Sequence, residues 1–249
     1  MLIDTGVGLK GLKELVDGLT DKPLTILLTH GHVDHAMGAG LFPGVPAHIG
    51  LADEMIYAEH SVLEVRRGYV MGAAMQGGDP AVIASVADDD FATPVSFSEF
   101  LPLMPGDRFE LGGVSLEIMT GRGHTPGSVT VLIPEWRLLL LGDACNAFTY
   151  LFAPECPTVP VYKETLLKLK AETDGKYERT LFSHGVGEGA PDMIDRVIAV
   201  CDDIMAGKVD NMPFRGFSGE PVCIAKAMDF SRFCRADGGE GNIVYDPNK

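Results

Sequence analysis

Three of the seven histidines fall within six residues, at His30, His32 and His35 in the run THGHVDH, with Asp34 set between the last two. Imidazole and carboxylate groups crowded this closely would repel one another or lack partners if buried without a cation. Borderline-soft divalent metals bind that mixture readily. Spacing adds to residue type: residues 30 and 32 can project to one side of a turn, leaving 34 and 35 to reach a second point nearby. One short loop can therefore feed two metal positions.

Further candidates share a context. His124 in TGRGHTPGS, Asp143 in LLLLGDA and His184 in TLFSHG each follow a strand-like apolar run and lie beside or near a glycine, as His30 follows LTILLT. Any one of them alone reads equally well as a turn histidine or a capping aspartate. Four apolar runs that each end in a ligand type are what a sheet shows when its strand ends converge on one site. His48 in VPAHIG and His60 in a helical run have no candidate ligand beside them in the sequence and read as ordinary surface or packing residues, with lining of the pocket a lesser reading for His60. Cys145, two residues after Asp143, reads as a buried thiol rather than a ligand.

The elements that must position these residues are legible from periodicity. Strand-type runs recur at 24–29, 114–119, 128–133, 137–141 and 180–183, each bounded by Gly, Pro or Asp. Helical periodicity puts Leu9, Leu12, Leu15, Val16 and Leu19 on one apolar face, and Tyr162, Leu166 and Leu169 on another. A third stripe runs through Met193, Val197, Cys201, Ile204 and Met205, with Pro191 near its start and Gly207 where a C-cap belongs. Strands and helices mixed in this way argue an α/β or α+β layered fold. At 249 residues the expectation is a single domain over 1–249, with 53–100, rich in Met55, Met71, Met75, Tyr57 and Tyr69, as a helical insert that packs in the core or closes as a lid.

A formal charge of −15 argues against nucleic acid or an anionic membrane surface as partner, since both call for a cationic face. Arg232 and Arg235 form a basic edge that is either solvated or able to hold an anionic carrier. The five cysteines, at 145, 156, 201, 223 and 234, show no C-x-x-C spacing and are odd in number, which fits free thiols in a reducing compartment. The start MLIDTGVGLKGLKELVDGL lacks the pattern of a signal peptide, and no apolar run approaches the roughly 20 residues that span a bilayer, so a cytoplasmic location is expected.

These motifs resemble those of the metallo-β-lactamase superfamily. HGHVDH is similar to its His-x-His-x-Asp-His signature, and DTG at 4–6, GHTPGS at 123–128, GDA at 142–144 and SHG at 183–185 resemble its other motifs in order. The resemblance implies an αββα sandwich of two mixed β-sheets flanked by helices. It also implies two divalent metal ions, zinc first and iron or manganese as alternatives. Carried over, His30, His32 and His124 would hold one metal and Asp34, His35 and His184 the other, with Asp143 bridging them in a glyoxalase II-like arrangement. Family members usually have more strands before DTG, whereas here MLID leads almost directly onto it. The N-terminal strands are therefore expected to be shortened, the chain to start earlier, or a second copy in a homo-oligomer to cover the sheet edge.

Two metals lower the pKa of a shared water, and the resulting bridging hydroxide would attack a metal-polarised carbonyl without a serine or cysteine nucleophile. Asp34 would orient that nucleophile or take its proton. Asp4 in the DTG turn reads either as an outer carboxylate that orients ligating histidines or as a plain turn aspartate. The resemblance makes the substrate a small molecule with a thioester, ester or lactone carbonyl. A mononuclear iron, persulfide dioxygenase-like oxidoreductase is the alternative; a β-lactamase and a non-catalytic binding protein rank below it.

Overall fold

The computed structural model describes residues 1–72, 78–185, 187–216, 219–232 and 234–249; Met75 of the anticipated insert lies outside the described residues. The chain divides into two compact units, residues 1–103 and 104–249.

In the first unit the elements run β1 (Leu2–Ile3), α1 (Leu12–Leu19), β2 (Ile26–Leu27), α2 (Val33–Ala36), β3 (Ala47–Ile49), α3 (Glu54–His60), α4 (Leu63–Gly72), α5 (Pro80–Ser85) and β4 (Leu101–Pro102). The four strands form one sheet in the order β1-β2-β3-β4, every pair parallel, with Ile3 opposite Leu27 and Leu27 opposite His48. A parallel strand covered on both faces must be apolar throughout, and Ile26, Leu27 and Leu28 are fully buried. Parallel strands also deliver their C-terminal ends to one edge, where α/β sheets carry ligands. Asp4 follows β1 and His30 follows β2 at that edge.

The stripe expected from Leu9 to Leu19 does not pack as one apolar face. Of its members in α1 only Val16 is buried; Leu15 and Leu19 are 62% and 77% exposed, and Leu9 lies before the helix in a bridge to Phe91. Val16, with half-buried Leu12, meets the cluster built by Ile26, Leu28, Ile49, Tyr57 and Phe100, so the packed face of α1 runs through Leu12 and Val16 and leaves Leu15 and Leu19 to its side. Residues 53–100 contribute to the packed interior of this unit through Tyr57, Val70, Ile83, Phe91 and Phe100.

The second unit contains β5 (Arg108–Glu110), β6 (Ser115–Thr120), β7 (Val129–Ile133), β8 (Leu138–Leu140), β9 (Thr149–Leu151), α6 (Val159–Thr173), β10 (Arg179–Leu181), β11 (Glu188–Gly189), α7 (Met193–Met205), β12 (Met212–Arg215), β13 (Pro221–Ile224), β14 (Met228–Asp229), β15 (Cys234–Arg235) and β16 (Ile243–Tyr245). A six-stranded sheet has the order β11-β10-β8-β7-β6-β5, a four-stranded sheet the order β12-β13-β16-β9, and β14–β15 form a small ribbon. Because β7 is antiparallel to both β6 and β8 while β10 is parallel to β8, strands β6, β8 and β10 all point the same way. Their C-terminal ends share an edge.

The helical stripes expected at 162–169 and 193–205 do form. Tyr162, Leu166 and Leu169 of α6 and Val197 and Cys201 of α7 enter one cluster with Leu132, Leu139 and Leu141, each such burial contributing about 1.5–3 kcal/mol. Met205, at the helix end, is 47% exposed instead. Gly207 takes φ +67° at the expected stop. All five cysteines are free thiols, three of them buried.

Candidate functional site

The histidine-rich loop of the first unit is built around Asp4. Its backbone sits at φ +57°, a left-handed conformation that costs a non-glycine residue about 1–2 kcal/mol. Neighbouring bonds hold it there: Thr5 N–H and Oγ1–H both donate to the His35 carbonyl, at 2.7 and 3.0 Å, and Met37 N–H donates to Gly6 O at 3.1 Å. Gly38 completes the turn because a Cβ there would stand 2.2 Å from Thr5 O. The DTG segment and the end of HGHVDH are thus locked together.

The Asp4 carboxylate then orients two imidazoles. Its Oδ1 accepts from Thr29 N–H at 2.7 Å, and its Oδ2 accepts from Thr29 Oγ1–H at 2.8 Å and from His35 Nδ1 at 2.9 Å. With the Thr29 hydroxyl proton committed to Asp4, His30 Nδ1 donates to Thr29 Oγ1 at 3.1 Å. Acceptor partners on Nδ1 put the proton there and the lone pair on Nε2, which is how proteins prepare histidine for a metal. His30 and His35 are buried with ring centroids 4.0 Å apart, His30 and His32 rings lie at 4.8 Å, and Asp34 Oδ2 is 3.5 Å from His35 Nε2. The structure therefore brings His30, His32, Asp34 and His35 together with Asp4 behind them.

In the second unit, His124, Asp143 and His184 follow β6, β8 and β10 and meet at the shared sheet edge. Asp143 Oδ2 is 3.0 Å from His184 Nε2 and 3.8 Å from His124 Nε2, so one carboxylate oxygen faces two imidazoles. His124 Nδ1 donates to the Tyr150 carbonyl at 2.9 Å, again leaving the lone pair on Nε2. The loop carrying His124 is stiffened from within, where Thr125 Oγ1 and Ser128 Oγ lie 2.7 Å apart, and from below by Tyr162. A Cβ on Gly123 would stand 2.5 Å from Tyr162 Cδ2, and the Tyr162 hydroxyl donates to Ala144 O at 2.7 Å. One buried tyrosine of α6 supports both the His124 turn and the Asp143 turn.

Sequence reasoning passed over several neighbours. His60, which the sequence reads as a surface or packing residue with pocket lining as the lesser reading, stacks its ring on His32, with centroids 4.8 Å apart, and its Nδ1 accepts Val33 N–H at 2.9 Å. Fully buried Asp53 accepts Gly31 N–H at 2.8 Å, and the Tyr69 hydroxyl donates to Asp34 Oδ2 at 2.7 Å. No periodic signal marks these three. Burial, and secondarily the Asp143 carboxylate, push the Tyr150 phenol above its usual range, so it stays neutral. His48 stands apart, 3.3 Å from Pro102 O. Arg235 is committed to Asp237 and to the carbonyls of Glu240 and Gly241, which argues for a structural role over an anion site.

The donor set of each unit, imidazole Nε2 atoms beside carboxylates, suits a divalent cation. The family model of the metallo-beta-lactamase superfamily matches residues 1–184. This chain belongs to the metallo-β-lactamase superfamily. Proteins of the superfamily are largely hydrolytic and usually bind divalent metals. Among curated relatives, an uncharacterized protein of Mycobacterium tuberculosis is 30% identical over 133 residues, 52% of this chain and 52% of that protein. The acyl-coenzyme A thioesterase MBLAC2 of Bos taurus is 27% identical over 158 residues, 57% of this chain and 53% of that enzyme. The chain thus spans about half the length of the curated relatives it matches. A solved metallo-β-lactamase from Pontibacter korlensis shares the fold at a TM-score of 0.56 and 20% identity over 81% of each chain. Among the described residues, no helix of this superfamily member is long and apolar enough to cross a membrane.

Proposed function

We propose that this chain is a two-metal hydrolase acting on the carbonyl of a thioester, ester or lactone, with thioesters first. The observation that carries the reading is the Asp143 carboxylate, whose Oδ2 faces both His124 and His184 as a bridging ligand would. Thioesters come first because a curated relative is an acyl-coenzyme A thioesterase. His30, His32 and His124 would hold one cation, Asp34, His35 and His184 the other, and Asp143 would be shared. Zinc is the expected metal.

When bound, such cations supply hydroxide from water at neutral pH and polarise the carbonyl under attack. The chain's own groups prepare for this. Asp4 keeps His30 and His35 in the ligating tautomer, the Tyr150 carbonyl does so for His124, and Asp34 would orient the attacking oxygen or take its proton.

Elemental analysis combined with a panel of acyl-glutathione, acyl-coenzyme A, lactone, β-lactam and persulfide substrates tests the reading. Two equivalents of zinc per chain with thioester or lactone turnover supports it. One iron with oxygen consumption on a persulfide would replace it with the dioxygenase, and full turnover by a metal-free sample would end it.

A further inference from the structure

The metal loop is held from outside by one stretch of chain. Between residues 53 and 69, three side chains reach successive positions of Gly31–Asp34: Asp53 accepts Gly31 N–H at 2.8 Å, His60 accepts Val33 N–H at 2.9 Å while stacking on His32, and Tyr69 donates to Asp34 Oδ2 at 2.7 Å. We propose that Tyr69 is a positioning residue for Asp34, the last member of a brace with Asp53 and His60 that fixes how the loop offers its ligands. The inference rests on the reading of Asp34 as a metal ligand.

Two observations lift Tyr69 above a chance surface contact. The first is how its helix is anchored. Arg66, three residues earlier and so on the same face of α4, is only 2% exposed. Its guanidinium donates to the carbonyls of Val7 at 3.0 Å, Gly8 at 3.2 Å and Ala92 at 2.7 Å, and it lies 5.1 Å from the centre of the Phe91 ring. A cation taken out of water in this way ties α4 to the backbone that follows β1. The phenol is therefore carried on a fixed support.

The second is the hydroxyl itself. Tyr69 is 38% exposed, and phenylalanine would give the same apolar contact. The added oxygen finds a carboxylate at a distance typical of a charge-assisted bond. Such a bond fixes the terminal torsion of Asp34 and draws charge from Oδ2, the oxygen that also lies 3.5 Å from His35 Nε2. The hydroxyl thus adds a second constraint on the direction in which Asp34, on the short helix α2, points that oxygen. Residues 53–69 thereby act as the outer support of the ligand loop.

The experiment compares wild type, Tyr69→Phe, Asp34→Ala and the double variant as full chains. Stepwise zinc affinities are measured by chelator competition, along with the visible spectrum of the cobalt-substituted protein and the melting temperature of the metal-free form. Tyr69→Phe is expected to retain two equivalents, to bind one of them about 10–100-fold more weakly, and to shift the cobalt spectrum, with the metal-free melting temperature unchanged. The effect should vanish in the Asp34→Ala background, where no carboxylate is left to hold. Wild-type affinities and spectrum in Tyr69→Phe, while Asp34→Ala loses one equivalent, would overturn the role of Tyr69 and leave the metal reading intact. A Tyr69→Phe defect that persists undiminished without Asp34 would also overturn it. If Asp34→Ala itself keeps both equivalents, the ligand assignment fails and this inference fails with it.

Discussion

Asp143 Oδ2 lies 3.0 Å from His184 Nε2, three residues beyond the point where Leu140 of β8 stands opposite Leu181 of β10. A parallel register thus delivers the carboxylate and the imidazole to the same level of the sheet edge. Both Asp143→Ala and His124→Ala are expected to lower bound metal and abolish turnover, read by elemental analysis and by hydrolysis of the best substrate in the panel. Full turnover in either variant would refute the two-metal reading.

Asp4 orients His35 directly and His30 through Thr29, two imidazoles that the proposed function gives to different metals. Asp4→Asn should therefore weaken both zinc equivalents by about 10–100-fold, not just one. Chelator competition resolves the two steps; weakening confined to a single step would show that Asp4 serves only one histidine.

Tyr162 joins two turns through one side chain. Removing its hydroxyl leaves the buried Ala144 carbonyl without that donor, at a cost of about 1–3 kcal/mol, so Tyr162→Phe should lower the melting temperature by several degrees while retaining metal. Gly123→Ala should do the converse at the site, because its Cβ would collide with the Tyr162 ring and push the His124 turn aside. Thermal unfolding and metal content, measured on both variants, separate the two effects.

Cys145 is two residues from Asp143, yet it is fully buried in the α6–α7 cluster, and burial holds its thiol well above the ordinary range. Cys145→Ser is expected to keep both metal equivalents and to lose about 1–3 kcal/mol of stability from placing a hydroxyl among apolar groups. Loss of one equivalent would make the thiol a ligand after all.

The sequence by itself determined the candidate ligand types and the strands they follow. His30, Asp143 and His184 each follow an apolar run that folds as a short strand, and a strand followed by a turn is a local event, written in a handful of consecutive residues. Periodicity likewise located α6 and α7. It failed for α1, where Leu15 and Leu19 belong to the stripe yet stand exposed, because a helical pattern encodes a face and not its partner.

Only the tertiary structure decided which groups stand behind the candidate ligands. Asp53, His60 and Tyr69 meet residues 22 to 35 positions away in the chain, and the Tyr150 carbonyl meets His124 across 26. A backbone oxygen has no residue type to read, and an aspartate, histidine or tyrosine on an ordinary helix looks like any solvated neighbour until the chain closes around it. Chemistry that depends on type is visible in one dimension; orientation, which depends on contacts between distant segments, is not.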